Sequence, residues 1–381
     1  MIFEKGELFC GPGGLSLGAL KAKVTGKNGE LFAVKHKWAS DYDPAAVETY
    51  RENICKPNNY DPKTVFQKDV RELKIDELEP INAFAFGFPC NDYSLVGEKK
   101  GINGEFGPLY SYGVKVLASK EPQWFIAENV SGLESANEGQ AFQQILNDLE
   151  NAGPGYMLTP HLYKFEEYGV PQTRRRIIIV GIRKNLNLQF KVPAPTHGPG
   201  NFVTAKQALE GEPIPEDAPN QEPTRHHQRV IDMLSFIPPG ENAWSEKIPP
   251  ALRLNVKGAR MSQIYRRLKE DAPSYTVTGS GGGGTHIYHY RDLRALTNRE
   301  RARLQTFPDK YDFKGGKEAV RKQIGMAVPP DGAKVIIEAI LKTFAGIEYD
   351  SVPSKWSVNS QEKSNSELEL AMQEIAAASE K

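Results

Sequence analysis

A single cysteine carries the clearest chemical signal in this sequence. Cys90 follows the apolar run that ends at Phe88 and Pro89, and the polar residues Asn91 and Asp92 come next. The run predicts a short buried strand, so the thiol is expected at the carboxyl end of a strand, where ligands collect in α/β sheets. A thiol placed there can act as a nucleophile in covalent catalysis. A lone cysteine is otherwise more often a buried structural residue, and the neighbouring motifs decide between the two interpretations.

Four further motifs accompany this cysteine. The first is Glu-Leu-Phe-Cys-Gly-Pro-Gly-Gly at residues 7–14, and the second is Glu-Asn-Val at residues 128–130. The third is Gln-Thr-Arg-Arg-Arg at residues 172–176, and the fourth is Gln-Ile-Gly-Met-Ala-Val-Pro-Pro at residues 323–330. Together with the block at residues 291–308, their order and spacing resemble the DNA (cytosine-5) methyltransferase family.

The resemblance covers residues 6–344 and implies transfer of a methyl group to C5 of a cytosine flipped out of double-stranded DNA. In this family a thiolate adds to C6 and breaks the aromaticity of the ring, which implies that Cys90 is the nucleophile. Glu128 is then the acid held against N3 of the base, although a Glu in a strand-to-loop turn can also be a simple cap. Arg176 is expected at the cytosine O2, with Arg174 nearby as a further catalytic residue.

A glycine-rich turn after the first predicted strand would let the backbone approach a nucleotide-like ligand closely. Such a turn also serves dinucleotides, or simply joins a strand to a helix. Asp41 suits hydrogen bonds from ribose hydroxyls, Tyr42 offers a ring to adenine, and Asp69 can accept from the adenine amino group. These features favour S-adenosyl-L-methionine as the cofactor. The expected cofactor-binding residues are Phe9, Gly11, Gly13, Gly14, Asp41, Tyr42, Asp69, Val70, Pro89 and Ala327.

The chain departs from the family pattern at two positions, because Glu7 replaces the usual Asp and Met326 replaces the usual Asn.

The expected DNA contacts fall in two regions. Residues 93–101 suit a loop that closes over the substrate, and one of its side chains could fill the gap left by the flipped base. The irregular stretch at residues 186–284 corresponds to the family's target recognition domain, where arginines suit guanine contacts and a threonine suits a phosphate. A flexible linker is the alternative interpretation of the glycine-rich residues 279–284. The expected DNA-contacting residues are Ser94, Val96, Arg266, Arg267 and Thr276.

The elements that must hold these residues alternate in a βαβ rhythm. The predicted fold class is α/β, a Rossmann-like, mostly parallel sheet of the S-adenosylmethionine-dependent methyltransferase type with helices on both faces, plus a smaller irregular target recognition domain. The predicted strands cover residues 6–10, 31–40, 83–88, 124–128 and 176–182, and the predicted helices cover residues 45–54, 110–120, 139–152 and 331–344. The predicted divisions are a catalytic and cofactor-binding domain (1–184), a recognition domain (185–290), a return segment (291–345) and a flexible tail (346–381).

Composition excludes several classes of protein. The net charge is zero, so contacts to nucleic acid must come from local clusters rather than from an overall positive charge. The three cysteines have no metal-binding or redox spacing, so we expect no metal site. No apolar run approaches the ~20 residues of a membrane span, and the first residues lack a signal-peptide pattern. We expect a cytoplasmic monomer that acts alongside a cognate restriction endonuclease without stable association.

Three other functions remain open from the sequence. The tRNA-methylating branch of the same family shares the cysteine and glutamate, although the long stretch between Arg176 and Arg291 favours DNA. A catalytically silent DNA-binding regulator would have no chemical reason to keep Cys90, Glu128 and Arg176 together. A dinucleotide oxidoreductase would explain the glycine-rich turn alone.

Overall fold

The computed structural model describes residues 1–89, 109–255 and 261–356, and no side chain is described for residues 135–138. Cys90, Ser94 and Val96 lie outside the described residues, as does the whole loop predicted at residues 93–101.

A central sheet of eight strands organises the protein. In spatial order the strands are β2 (Lys23–Thr25), β3 (Leu31–Asp41), β1 (Ile2–Leu8), β5 (Ala83–Gly87), β6 (Trp124–Val130), β9 (Arg175–Arg183) and β7 (Tyr156–Lys164), with β4 (Val65–Gln67) paired to the end of β3. Strands β4, β3, β1, β5 and β6 are parallel, and β9 is antiparallel to both of its neighbours. All five predicted strands are present, whereas β2, β4 and β7 were not predicted.

Strand β7 escapes prediction because Pro160 stands in its middle. A proline cannot donate to a ladder and is therefore found on edge strands. Strand β7 is the last strand of the sheet, and Pro160 faces Ile179 of β9, its single neighbour. The proline thus marks an edge position rather than the absence of a strand.

Helices cover both faces of the sheet. On one face, α3 (Tyr110–Lys120) and α4 (Gln140–Glu150) pack on Phe84 and Phe86. On the other face, α1 (Gly14–Lys21) and α9 (Pro330–Phe344) pack on Phe3 and Ala85, as the alternation of strand side chains requires. The remaining helices are α2 (Pro44–Tyr50), α5 (Ala205–Glu210), α6 (Gln228–Ser235), α7 (Asn298–Leu304) and α8 (Lys317–Met326). No helix in the described ranges is long and apolar enough to cross a membrane.

The predicted recognition segment is irregular but well anchored. Met233, Leu234 and Ile248 form a small core of its own together with Tyr288. Other residues of the segment, on α5 and around Val277, share a second core with α2, α7 and α8. A two-residue parallel pairing of β8 (Gln172–Thr173) with β11 (Ser274–Tyr275) also joins the segment to the catalytic body.

The prediction of a flexible tail from residue 346 onward is wrong for residues 346–356. Strand β12 (Ser351–Val352) pairs with β10 (Val192–Pro193), and the Trp356 ring lies 5.0 Å from the Phe142 ring in an edge-on contact. Lys355 Nζ lies 2.7 Å from a carboxylate oxygen of Glu134. A two-residue strand and one aromatic anchor leave no periodic pattern, which is why the sequence suggested disorder. Residues 357–381 lie outside the described residues.

Candidate active site

The carboxyl ends of the five parallel strands meet at one edge of the sheet, where ligands bind in open α/β sheets. The glycine-rich turn follows β1, Asp41 ends β3, and Asp69 comes just after β4. Glu128 lies near the end of β6 and is the register partner of Gly87 on β5. Because β9 is antiparallel, it begins at this same edge and brings Arg176 opposite Val130.

Glu128 and Arg176 form an ion pair at this edge. Arg176 Nε lies 2.8 Å from Glu128 Oε1, and the two side chains are only 14% and 12% exposed. A Cβ atom on residue 87 would lie 3.1 Å from Glu128 Oε2, so Gly87 leaves space beside the carboxylate. Asn129 Nδ2 donates a 3.1 Å hydrogen bond to the Phe88 carbonyl and fixes the chain just before Pro89. The pair therefore lies beside the end of the strand that precedes Cys90.

The glycine-rich turn depends on left-handed backbone. Gly11 and Gly13 have φ values of 51° and 93°, and Phe9, which is not a glycine, has φ 55°. Such a conformation in a bulky residue is uncommon and concentrates at functional sites. The Tyr311 hydroxyl donates to the Pro12 carbonyl and holds the turn from the return segment. Gly14 packs directly on the main chain at Val328, where any side chain would collide.

Asp41 links this turn to the end of β3. Its Oδ2 accepts from the Gly11 amide at 2.8 Å, and its Oδ1 accepts from the Asp43 amide at 2.9 Å. Burial raises the pKa of Asp41, while the two amide donors oppose that shift. The carboxylate is thus held in a fixed orientation at the place where the sequence predicts a contact to ribose.

The other predicted cofactor residues differ in exposure. Tyr42 is 64% exposed, and Lys322 Nζ lies 3.5 Å from its hydroxyl oxygen and 3.2 Å from Asp43 Oδ2. Lys322 was not predicted, although it directly precedes the fourth motif. Asp69 accepts from the Arg71 guanidinium at 2.9 and 2.7 Å, and this hydrogen bonding lowers the pKa of Asp69.

Val70 and Ala327 are buried, and Pro89 is partly buried. An exposed aromatic ring, open space around Gly11 and carboxylates at the strand ends fit the adenosine part of S-adenosyl-L-methionine. The residues expected to hold the cofactor are therefore compatible with it, and Ala327 can act only through its backbone or methyl group.

We expect Asp41→Ala and Tyr42→Ala each to weaken S-adenosyl-L-methionine binding by roughly 1 to 3 kcal/mol, the scale of a lost charge-assisted hydrogen bond or aromatic contact. Titration calorimetry without DNA measures this effect. Only Asp41→Ala should also lower the unfolding temperature, because the Gly11 and Asp43 amides would lose their acceptor. Unchanged affinity in both variants would mean that the cofactor binds elsewhere.

Arg174 is buried structure rather than part of the catalytic group, and its prediction as a catalytic residue is wrong. Its side chain is fully buried, Nη1 donates to the Val277 carbonyl at 3.0 Å, and Nη2 donates to the Gly325 and Ala327 carbonyls at 2.9 Å each. The strand is interrupted at Arg174, between β8 and β9, so the alternation of side chains along a strand does not place Arg174 on the same face as Arg176.

Gln172 acts beside Arg174 and was not predicted as a separate functional residue. Its Nε2 donates to the Leu304 carbonyl at 2.8 Å and to Gln305 Oε1 at 2.7 Å, and its Oε1 accepts from the Val277 amide at 2.9 Å. Gln172 and Arg174 together connect the recognition segment, α7 and the end of α8. In the Gln-x-Arg-x-Arg motif, Gln172 and Arg174 therefore join parts of the fold, and Arg176 belongs to the candidate active site.

Substitution of the two arginines should separate these roles. Arg174→Met should lower the free energy of unfolding by about 3 kcal/mol, because three buried carbonyls lose a charged donor. Arg176→Met should change stability less and should remove methyl transfer. Urea unfolding and a methyl-transfer assay on both variants test this division. Equal stability of Arg174→Met and wild type would contradict it.

The structure also corrects one predicted DNA contact. Arg267 is buried and donates to the main-chain carbonyls of His289, Ile237, Tyr290 and Arg291 at 2.6 to 3.0 Å. Its prediction as a guanine-reading residue is wrong, because its donors stabilise the recognition segment from within. Arg266 is partly exposed and lies 4.8 Å from the centre of the Tyr275 ring, so its contact with a base stays a prediction.

Thr276 Oγ1 donates to the Thr173 carbonyl at 2.6 Å, so its hydroxyl hydrogen is already engaged at the β8–β11 junction. Its contact with a phosphate also stays a prediction.

Comparison with known proteins agrees with this geometry. Residues 3–342 match the family model described as C-5 cytosine-specific DNA methylase. The chain is 64% identical over 366 residues to the type II methyltransferase M.BbvI of Brevibacillus brevis, an alignment that covers 94% of this chain and 96% of the relative. It is 39% identical to the type II methyltransferase M.NgoFVII of Neisseria gonorrhoeae, over 91% of this chain and 88% of the relative.

Among solved structures, an Escherichia coli prophage protein assigned as a DNA modification methyltransferase shares the fold, with a TM-score of 0.62 and 24% identity over 90% of this chain and 99% of the other. The order and direction of the strands, the Glu128–Arg176 pair at the strand ends and the match along nearly the whole chain lead to one assignment. This chain belongs to the C-5 cytosine-specific DNA methylase family.

Proposed function

We propose that this protein transfers a methyl group from S-adenosyl-L-methionine to C5 of a cytosine within a specific double-stranded DNA sequence. The observation that carries the residue assignment is the Glu128–Arg176 ion pair at the ends of β6 and β9, beside the end of β5. The relatives named as type II methyltransferases support a role in a restriction-modification system. We further propose that the enzyme works in the cytoplasm as a monomer, and that its cognate endonuclease acts separately.

Cys90 is the proposed nucleophile, and the other two thiols support this choice by their surroundings. Cys10 and Cys55 are both buried. Burial raises the pKa of Cys10 well above its usual range and the pKa of Cys55 to about 12. Neither can supply a thiolate near neutral pH. Cys90 lies outside the described residues and comes directly after Pro89. The preceding residue, Phe88, is fixed by the hydrogen bond from Asn129 to its carbonyl.

The proposed reaction begins when the Cys90 thiolate forms a bond to C6 of the flipped cytosine. The electron pair of the C5–C6 double bond shifts to C4–C5, the electron pair of the C4–N3 double bond moves onto N3, and the Glu128 carboxyl in its protonated form donates a proton there. Arg176 holds Glu128 through its Nε and directs its positive charge to the O2 side of the base. C5 is now nucleophilic and accepts the electrophilic methyl group that the cofactor supplies when it is bound.

One elimination completes the turnover, and N3 returns its proton to Glu128. The hydrogen on C5 leaves as a proton to a base, and the electron pair of that C–H bond reforms the C5–C6 double bond. The C6–sulfur bond breaks at the same time, and its electron pair returns to Cys90 as a thiolate. The ring regains its aromaticity, and the free enzyme is restored.

The test is transfer of a labelled methyl group to duplex DNA of mixed sequence and, in parallel, to tRNA. We expect label in DNA at C5 of cytosine, confined to one short sequence after the modified positions are mapped. Label in tRNA alone would favour the RNA-methylating branch of the family. Binding to DNA without label in either substrate would favour a regulator. Sedimentation of the same preparation tests the proposed monomer.

A further inference from the structure

Two arginines lie close together beneath the junction of the recognition segment and the catalytic body. Arg301 on α7 is 2% exposed, and its Nη2 lies 3.1 Å from His286 Nδ1. Arg321 on α8, the helix that packs against α7, has a side chain that is 11% exposed. Neither arginine has a role in the site described above, and His286 lies two residues after the glycine-rich residues 279–284.

These two cations are less well paired than the neighbouring arginines. Arg294 is paired with Glu300 through two hydrogen bonds of 2.8 Å, and Arg303 is paired with Asp309. Within the described part of the chain, Arg301 takes part in no ion pair. Among the residues described, the ion-pair partner of Arg321 is Glu318, whose carboxylate lies 3.6 Å away and whose side chain is 90% exposed.

The Nε atom of Arg321 is buried and has no hydrogen-bond partner among the residues described. Burying a charged donor without a partner is unfavourable, so this atom marks a place where the free protein is not fully satisfied.

The charges around Arg301 and His286 also favour binding of an anion. Burial and, second to it, the charge of Arg321 lower the pKa of Arg301 to about 10. Burial also lowers the pKa of His286 to about 4, and every charged neighbour that acts on it, including Arg301, Arg321 and Lys317, favours the neutral imidazole. An anion between the two guanidinium groups would relieve this repulsion and supply the missing acceptor.

Arg301, Arg321 and His286 lie next to the part of the recognition segment where DNA is expected. A Cβ atom on residue 279 would lie 2.8 Å from the Lys322 carbonyl oxygen, and Gly325 packs directly on the main chain of Thr278 and Gly279. The glycine-rich residues therefore rest on α8 close to Arg321. A Cβ atom on residue 282 or 283 would meet no other atom within 4 Å, so these two glycines border open space.

We propose that Arg321, supported by Arg301, binds a phosphodiester group of the DNA backbone next to the glycine-rich residues 279–284. The identity of the anion as DNA rests on the proposed function. A phosphate contact of this kind holds the strand in position and carries no sequence information of its own.

The test is equilibrium binding of duplex DNA as a function of salt, without turnover. Arg321→Gln should weaken binding about tenfold, reduce the slope of log affinity against log salt by about one, and leave the ratio of specific to nonspecific affinity unchanged. The matched control is Lys27→Gln, which removes one exposed charge from the turn between β2 and β3 and should leave both quantities unchanged. An unchanged salt slope in Arg321→Gln would overturn the proposal.

Thermal unfolding without DNA separates binding from a merely structural role. Because the two buried cations repel each other, Arg301→Met and Arg321→Gln should each unfold at a temperature equal to or higher than wild type. A lower unfolding temperature together with unchanged DNA affinity would show a structural role and would contradict the proposal. Inorganic phosphate serves as a second probe, since a bound anion raises the unfolding temperature. If phosphate stabilised Arg321→Gln as much as wild type, that result would also count against the site.

Failure of the proposed function would look different, since wild-type protein itself would then bind duplex DNA without preference for any sequence and transfer no label.

Discussion

Cys90→Ser should reduce methyl transfer to no more than a few percent of wild type while cofactor affinity stays unchanged. A serine hydroxyl has a far higher pKa than a thiol, so it supplies almost no anion to attack C6 near neutral pH. The measurement is a single-turnover assay with labelled cofactor on DNA that contains the mapped site, together with calorimetry of cofactor binding.

The matched control for this prediction is Cys55→Ala. Cys55 is buried, and its pKa is raised to about 12, so its removal should leave the transfer rate close to wild type once the protein is folded. Transfer by Cys90→Ser well above a few percent would remove Cys90 from the nucleophile role. Loss of transfer in Cys55→Ala with intact folding would point to a different thiol.

Glu128→Gln should lower the single-turnover rate by about a hundredfold to a thousandfold, the range of a lost general acid. The substitution keeps the size of the side chain but removes both the acid function and the charge that pairs with Arg176. Cofactor affinity should not change, because Glu128 is not among the residues predicted to hold the cofactor.

Glu150→Gln is a suitable control, since Glu150 also pairs with a basic residue, Lys184 at 3.2 Å, but lies at the end of α4, in the α3–α4 layer. A rate for Glu128→Gln within twofold of the control would mean that the Glu128–Arg176 pair is structural.

The sequence predicted the strand ends well because local patterns determine them. Short apolar runs bounded by polar residues indicate buried parallel strands, and the residues after each run necessarily meet at one edge of the sheet. For this reason Asp41 comes to lie at the glycine-rich turn. Arg176 precedes its apolar run, and it meets Glu128 because β9 is antiparallel, a direction that the local pattern does not show.

The errors concern residues whose roles depend on distant partners. Nothing in the sequence near Arg174 or Arg267 shows that carbonyl groups 22 to 153 residues away will accept their hydrogen bonds. An arginine is a fair candidate for DNA contact from its type alone, but burial decides the outcome, and burial follows from the tertiary fold. The partly exposed Arg266 and the buried Arg267 are adjacent in sequence but differ in their surroundings for this reason.

The ordered segment at residues 346–356 was missed on similar grounds, since its anchors are one short strand pairing, one aromatic contact and one ion pair. None of these leaves a periodic signal in the sequence.

The central claim is covalent attack by Cys90, and duplex DNA with 5-fluorocytosine at the target position tests it most directly. Fluorine cannot leave C5 as a proton does, so the adduct cannot resolve after methyl transfer. Wild-type protein with S-adenosyl-L-methionine should form a complex that survives denaturant, and mass spectrometry should locate the bond on the peptide that contains Cys90. Cys90→Ser should form none. Absence of any denaturant-stable complex with wild type, or a complex that persists in Cys90→Ser, would contradict the mechanism.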